Sequence, residues 1–294
     1  MNTKYKITVF ILMIVISLVS CETLELDINE SPNTSTPDKA NIDLLLNGVM
    51  VSFGQWASEE DDTDNEVGME AGMEIVRMLQ ASGPLYENCY QPTDFDDIWK
   101  AYSGHLKDIQ TIKSNGEAQE AFHHIGVAQI IESYTMTFLV DYFGDVPYSE
   151  AFIGSENPNP SPDDDQQVYT TALNLLDEAI TNLGKEAVIP LPGTDFFYDG
   201  DEELWITLAK TLKLRIWNNT RLVDPTASRD AINALLTDGD LIDTAEEDFN
   251  VAYGTNTSVP DTRHPNYTDV YVNTPSGEYM SLYFMNLLKN RLGD

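Results

Sequence analysis

From residue 37 onward, apolar side chains recur at the three- and four-residue spacing of a helix, and no useful stretch shows the two-residue alternation of a strand. Ile42, Leu45, Leu46, Val49 and Phe53 form the first stripe, behind Thr36-Pro37-Asp38, which puts proline at a first helical position and an acid in the first turn. Met69, Met73, Val76 and Leu79 suggest a second helix. Phe95, Ile98, Trp99, Tyr102, Leu106 and Ile109 share one face of a third, which Asn115-Gly116 is expected to end. The 117–142 segment is densely apolar, and Gly144 and Pro147 stop it. Further helices are expected over 168–183, 204–222, 228–236 and 279–292. A helix with one apolar stripe must bury it against another element. The expected fold class is therefore mainly α, built of paired helices joined by loops, although a tetratricopeptide consensus with its period of about 34 residues is not legible.

The loops carry their own information. Residues 59–66 are acidic, 154–165 and 190–201 are rich in Pro, Gly and Asp, and 243–275 lacks periodicity. Loops beyond about 12–15 residues are uncommon in compact domains and are often functional.

The N-terminus reads as an address. Lys4 and Lys6 precede an apolar run from Ile7 to Val19, too short to span a bilayer, which takes about 20 residues. Leu18-Val19-Ser20-Cys21 then resembles a bacterial lipobox. The expectation is a signal peptide over 1–20, cleavage before Cys21 and a lipid on its thiol, with acyl chains of the palmitate type supplying the anchor. Residues 21–36 form a lipidated tether and 37–294 the helical domain. Glu22, Glu25, Asp27 and Glu30 resemble the acidic signal that sends lipoproteins to the outer face of the outer membrane. Cys89, between Tyr86 and Tyr90, is then left without a covalent partner and reads as a packed thiol.

Forty-nine acids against sixteen Lys and Arg give a formal net charge of −33. That excess excludes a nucleic-acid partner, because affinity for phosphate backbones comes from basic side chains. Catalytic signatures are missing: there is no H-E-x-x-H, no G-x-S-x-G and no glycine-rich phosphate loop. His123 and His124 are adjacent and do not share a helix face, while His105 and His264 lie far off in sequence, so no metal is assigned. The acidic runs at 61–66 and 163–165 lack the spacing of a helix–loop–helix calcium site and read as solvated loops, with calcium as the competing reading. Aromatics are the more informative class, because the flat C–H faces of sugars pack on rings. Trp99 and Trp205 fall in helical stripes and read as core. Trp56, Tyr86 and Tyr90 lie near loops or helix ends and are the candidate ligand-binding residues, packing being the alternative for each.

Four stretches together resemble one family. Asp141-Tyr142-Phe143-Gly144-Asp145-Val146-Pro147-Tyr148-Ser149-Glu150-Ala151 is similar to the G-D-V-P-Y-x-E-A hallmark of SusD/RagB outer-membrane lipoproteins, in the SusD-like subgroup. Asp165 to Leu183 resembles the helix after that hallmark. Asp195, Tyr198, Gly200-Asp201, Trp205 and Leu212-Lys213-Leu214-Arg215 resemble a further family segment, and the lipobox at Cys21 is the fourth. The resemblance implies tetratricopeptide-like helix pairs with long elaborating loops. It also implies a cell-surface protein that is not an enzyme and takes no cofactor. Such proteins bind nutrient oligosaccharides, or in some cases peptides, and pass them to a SusC-type TonB-dependent transporter. Within this reading the hallmark, Trp205 and Arg215 are expected to serve folding rather than ligand contact. Family members are usually longer, and the expectation is that the C-terminal part is incomplete. The competing readings are a peptide-import lipoprotein, a helical-repeat adaptor binding only proteins, and a glycoside hydrolase.

Overall fold

The computed structural model describes residues 40–58, 72–73, 75–80, 92–258, 262–264, 267, 271–272 and 279–292. Over these the chain is mainly helical, and extended pairing among them is confined to isolated bridges, Leu79 with Met280 and Val146 with Asp163. Helix α1 spans Ile42–Ser58. A 3-10 helix over Pro92–Trp99 runs into the single turn α2, Lys100–Ser103, and α3 follows at His105–Ala118. Then come α4 (Phe122–Phe143), α5 (Asp165–Leu183), α6 (Glu202–Asn219), α7 (Pro225–Asp238) and α8 (Leu282–Leu292).

Helix α4 is the centre. Its buried residues run from His123 to Val140 on nearly every side, the pattern of a helix enclosed by others. α5 covers one flank, and α3 and α1 cover the rest. α6 packs on α5 and touches α4, and α7 packs on α6. From α1 to α7 the helices thus lie against near neighbours in sequence, as in stacked helix pairs. Leu46 and Met50 of α1, Ile109 of α3, Ile131 and Leu139 of α4, Leu176 of α5 and Trp205 of α6 are fully buried in one core.

The sequence explains the helix ends, with some revisions. The described part of α1 is capped by Asn41, whose side chain accepts from Asp43 N (2.9 Å) and Leu44 N (3.2 Å). The expected start at Thr36-Pro37-Asp38 lies outside the described residues. Asp164, Asp201 and Asp224 cap α5, α6 and α7 in the same way, and Pro225 opens α7. The third expected helix is broken at Gly104 into α2 and α3.

Asn115-Gly116 does not end α3, which continues to Ala118. Gly116 is there for close packing: a Cβ on it would stand 2.8 Å from Ile125 Cγ1. The chain turns instead at Glu120, φ +54°, so α4 starts at Phe122 rather than Glu117. Of the second expected helix, only positions 72, 73 and 75 are described as helical. The chain is already turning at Val76 and Arg77, and Leu79 pairs with Met280. Residues 1–39, the acidic 59–66 run, Tyr86, Cys89 and Tyr90 all lie outside the described residues. Among those described, no helix is long and apolar enough to cross a membrane.

Candidate functional site

The chain after α4 is tied down by its own acids. Gly144 takes φ +73° and ψ −121°, a conformation that glycine adopts without strain, and its N–H closes the helix on Val140 O at 2.9 Å. Val146 is fully buried and its carbonyl accepts from Asp163 N at 2.9 Å. The Asp163 carboxylate answers by accepting the N–H groups of Tyr148 and Ser149, each at 2.8 Å, and the Ser149 hydroxyl at 2.6 Å. Burial opposes charge on Asp163, but these donors outweigh it and hold its pKa below the usual carboxylate range. Glu150 accepts from Asn157 and from Ser161 N, both at 3.1 Å, and Asp145 accepts from Asp165 N at 3.1 Å.

Underneath, the Tyr148 hydroxyl donates to Glu132 Oε1 at 2.9 Å. Glu132 is fully buried and also receives Gln110 and Lys113, both at 2.8 Å. Burial, with the Glu132 charge adding to it, drives the Tyr148 pKa up, so the phenol stays a donor. From Gly144 to Glu150 the hallmark is thus tied into the fold, as expected, while Tyr142 and Phe143 before it are not explained by these bonds.

What the clamped loop supports is a ribbon of rings. Trp56 meets Phe138 at 5.0 Å between centroids, Phe138 stacks on Tyr142 at 4.7 Å, and Tyr142 meets Phe143 at 6.1 Å. Phe143 lies 4.6 Å from Trp99, Trp99 stacks on Tyr102 at 5.8 Å, and Tyr102 stacks on Phe152 at 5.7 Å. None of these rings is fully buried, and Tyr142 is 37% exposed. Phe152 holds φ +66°, uncommon for a bulky residue, and the Tyr102 hydroxyl beneath it is fixed by donating to Pro147 O. A row of partly open aromatic faces is a surface on which flat apolar ligand faces can stack.

A second aromatic group lies deeper. Phe53, Tyr134, Phe197, Tyr198, Trp205 and Phe249 pack together around a knot at Asp195, which is 2% exposed. Asp195 Oδ1 accepts from Phe197 N (2.9 Å) and Tyr198 N (3.3 Å), and Oδ2 from Gly200 N (3.3 Å) and the Trp205 indole (2.7 Å). Arg215 lies over the Tyr134 ring at 5.0 Å. Trp205 therefore serves the fold, as expected, and Arg215 rests on the Tyr134 ring from an exposed position.

Trp56 joins the two groups. Its indole donates to Ile98 O at 3.0 Å, and its ring lies 6.0 Å from Phe53 and 5.3 Å from His105. This bond ties the end of α1 to the 3-10 helix; Tyr86 and Tyr90 fall between the two in sequence and lie outside the described residues. The histidines go to separate partners: His105 Nε2 to Thr135 Oγ1 (3.0 Å), His123 Nε2 to Lys185 O (2.9 Å) and His124 Nε2 to Asp43 Oδ1 (2.8 Å). Thr135 already donates to Ile131 O at 2.8 Å, so it accepts from His105, which leaves the His105 Nδ1 lone pair unpartnered. Burial lowers the His105 pKa to about 4, and the ring is neutral. Asp145, Asp164 and Asp165 cluster on the surface, but Asp145 accepts a backbone N–H and Asp164 caps α5. The sequence reading missed Tyr142, Phe143 and Phe152 as open rings; the usable signal was three aromatics flanking a helix stop.

A family model described as starch-binding and associating with the outer membrane matches residues 34–289. No curated protein matches the chain. Among solved structures, a chitin-binding protein is similar at 22% identity and TM-score 0.66, over 87% of this chain and 52% of that one. A Bacteroides vulgatus outer membrane protein, whose description mentions nutrient binding, is similar at 23% identity and TM-score 0.65, over 86% and 51%. A SusD/RagB family protein from Bacteroides thetaiotaomicron follows at 23% identity and TM-score 0.59, over 85% and 52%. At these identities the structures speak to the fold, and the chain spans about half the length of each.

Proposed function

This chain belongs to the SusD-like family of starch-binding proteins that associate with the outer membrane, and from that premise we propose that it captures nutrient oligosaccharides at the cell surface without transforming them. The observation that carries the proposal is the ribbon from Trp56 to Phe152, whose rings are clamped from below and partly open above. Rigid aromatic faces give contact area at little entropic cost, which suits a weak, exchangeable ligand. Tyr86 and Tyr90 are proposed to join the ribbon, because in sequence they fall between α1 and the 3-10 helix, which the Trp56–Ile98 bond ties together at one end of it. Cys21 is the proposed lipid attachment site, and the partner is a SusC-type TonB-dependent transporter that takes over the ligand. The signal peptide 1–20, the tether 21–36 and the helical domain from 37 complete the assignment.

Titrating the purified chain with maltotriose by calorimetry tests the binding. Saturation is expected, weakened about tenfold in Tyr142→Ala, a change on an exposed ring that the fold tolerates. Heat from short peptides but from no saccharide would move the protein to peptide capture, and release of reducing sugar would make it a hydrolase. For the anchor, a Cys21→Ala chain that stays on membranes after carbonate washing would overturn the lipidation proposal. For the partner, the full chain is expected to co-purify with an outer-membrane channel. Its isolation with other proteins and no channel would favour the adaptor reading.

A further inference from the structure

A groove of about 410 Å³ lies over α6, between α5 and α7. Lys210, Lys213 and Trp217 of α6 stand at i, i+3 and i+7 and so form one stripe along its floor. Asp177 of α5 and Ala234 and Asp238 of α7 stand on its walls. None of these residues belongs to the aromatic ribbon.

Trp217 is the unusual member. Trp56, Trp99 and Trp205 belong to the hydrophobic core or pack on it, whereas Trp217 does neither. It is half-buried, and among the described residues its ring stacks on no other and its indole N–H has no hydrogen-bond partner. An aromatic side chain placed in this way offers a flat face and a donor to whatever enters. The volume falls in the range of about 300–1,000 Å³ typical of small-molecule sites.

The rim decides the charge of the occupant. Lys213 is paired with Asp177, and Lys210 bridges Asp238 and Asp240 at 2.7 Å each. Thr207 adds a hydrogen bond to Asp240 at 2.7 Å. An anion would have to break these pairs and face three carboxylates, and a cation would have to displace a lysine from a carboxylate it already holds. A neutral hydroxyl can instead lie between a lysine and an aspartate, accepting from one and donating to the other, with both pairs intact. An apolar ring face against the indole and hydroxyls toward the paired rim describe a sugar.

We propose that the α5–α6–α7 groove is a second ligand site, taking a short neutral saccharide seated on Trp217, separate from the ribbon and independent of it. The test is a ¹H–¹⁵N spectrum of the full chain, which resolves indole N–H signals, titrated with maltose to about 10 mM, tenfold above a dissociation constant of about 1 mM. The Trp217 signal is assigned by its loss in Trp217→Phe, and the Trp205 signal, held by buried Asp195, reports that the chain is folded.

The expected result is a saturable shift of the Trp217 signal with Trp205 unmoved. Ala234→Trp, a change at an exposed position that fills the groove, is expected to weaken it about tenfold or more. A Trp217 signal that stays still in a folded chain overturns the groove. So does a shift that persists unchanged in Ala234→Trp, or one produced by lysine-rich or glutamate-rich peptides and not by maltose. Movement of Trp56 or Trp99 alone keeps the ribbon and overturns the groove. Movement of Trp217 alone keeps the groove and overturns the ribbon.

Discussion

Asp195→Asn should cost nearly as much stability as Asp195→Ala. All four partners of the Asp195 carboxylate are donors: the N–H groups of Phe197, Tyr198 and Gly200 and the indole of Trp205. A carboxylate can face donors on both oxygens, but an amide can do so on one. If the Asn oxygen keeps Phe197 and Tyr198, its NH₂ must point hydrogens at Gly200 and at a Trp205 indole that is fully buried and has nowhere to turn. Each hydrogen bond to a charged group contributes about 1.5–3 kcal/mol, and each stranded buried donor costs about 1–3 kcal/mol. Since the bonds are coupled and not additive, the expected loss is about 4 kcal/mol for Ala and about 3 kcal/mol for Asn. In melting temperature the Ala variant should fall by roughly 10 °C. Urea unfolding with an unchanged m-value is the assay. Repeating the Asn substitution in a Trp205→Phe background, which has no indole donor, should shrink the penalty by about 1 kcal/mol or more. An Asn variant within about 0.5 kcal/mol of the parent would refute the all-donor reading of this knot.

Other expectations can be checked on the same purified chain. His105 is neutral with a pKa of about 4 against about 6.5 unfolded. Its contribution is fully present above pH 6.5 and drains as the pH falls toward 4, where the unfolded chain binds a proton that the folded one refuses. The total is about 3 kcal/mol, visible as a steeper acid limb of stability against pH that His105→Gln flattens. Gly126→Ala should destabilise by about 1–3 kcal/mol, since its Cβ would sit 2.7 Å from Leu183 Cγ and 3.1 Å from the Ala179 carbonyl. Gly48→Ala, in α1 with nothing within 4 Å, should stabilise by about 0.5–1 kcal/mol in a thermal melt. Tyr148→Phe should cost about 1 kcal/mol in urea, because Glu132 keeps Lys113 and Gln110.

Much of the helical framework could be read from the chain because its signals are local. α5, α6 and α7 each begin at an aspartate cap, and α4 ends at a glycine with φ +73°. Glycine misled where its reason was tertiary. At Gly116 the missing side chain makes room for Ile125 and leaves the helix unbroken. The ribbon was harder to see, because it joins α1, the 3-10 helix, α2, α4 and the loop after it, and periodicity within one helix says nothing about rings meeting across several. Trp56 was noticed for standing near a helix end, but its tie to Ile98 depends on a contact between distant parts of the chain. Trp217 lies two residues past the stretch that resembles a family segment, and what separates it from the core tryptophans is packing between helices, which one helix's periodicity does not show.

The bond from Trp56 to Ile98 also bears on how such a protein can change over generations. It fixes the end of α1 against the 3-10 helix, whatever the sequence between them. Closing a loop of twice the length costs only about 0.6 kcal/mol more, so outside the 77–80 turn that pairs with the chain before α8 this stretch can lengthen, shorten or be rewritten with little debt to the helices. Taste for a new nutrient could then be acquired by drift in one excursion of the chain, while the folding problem, solved once around α4, is inherited intact.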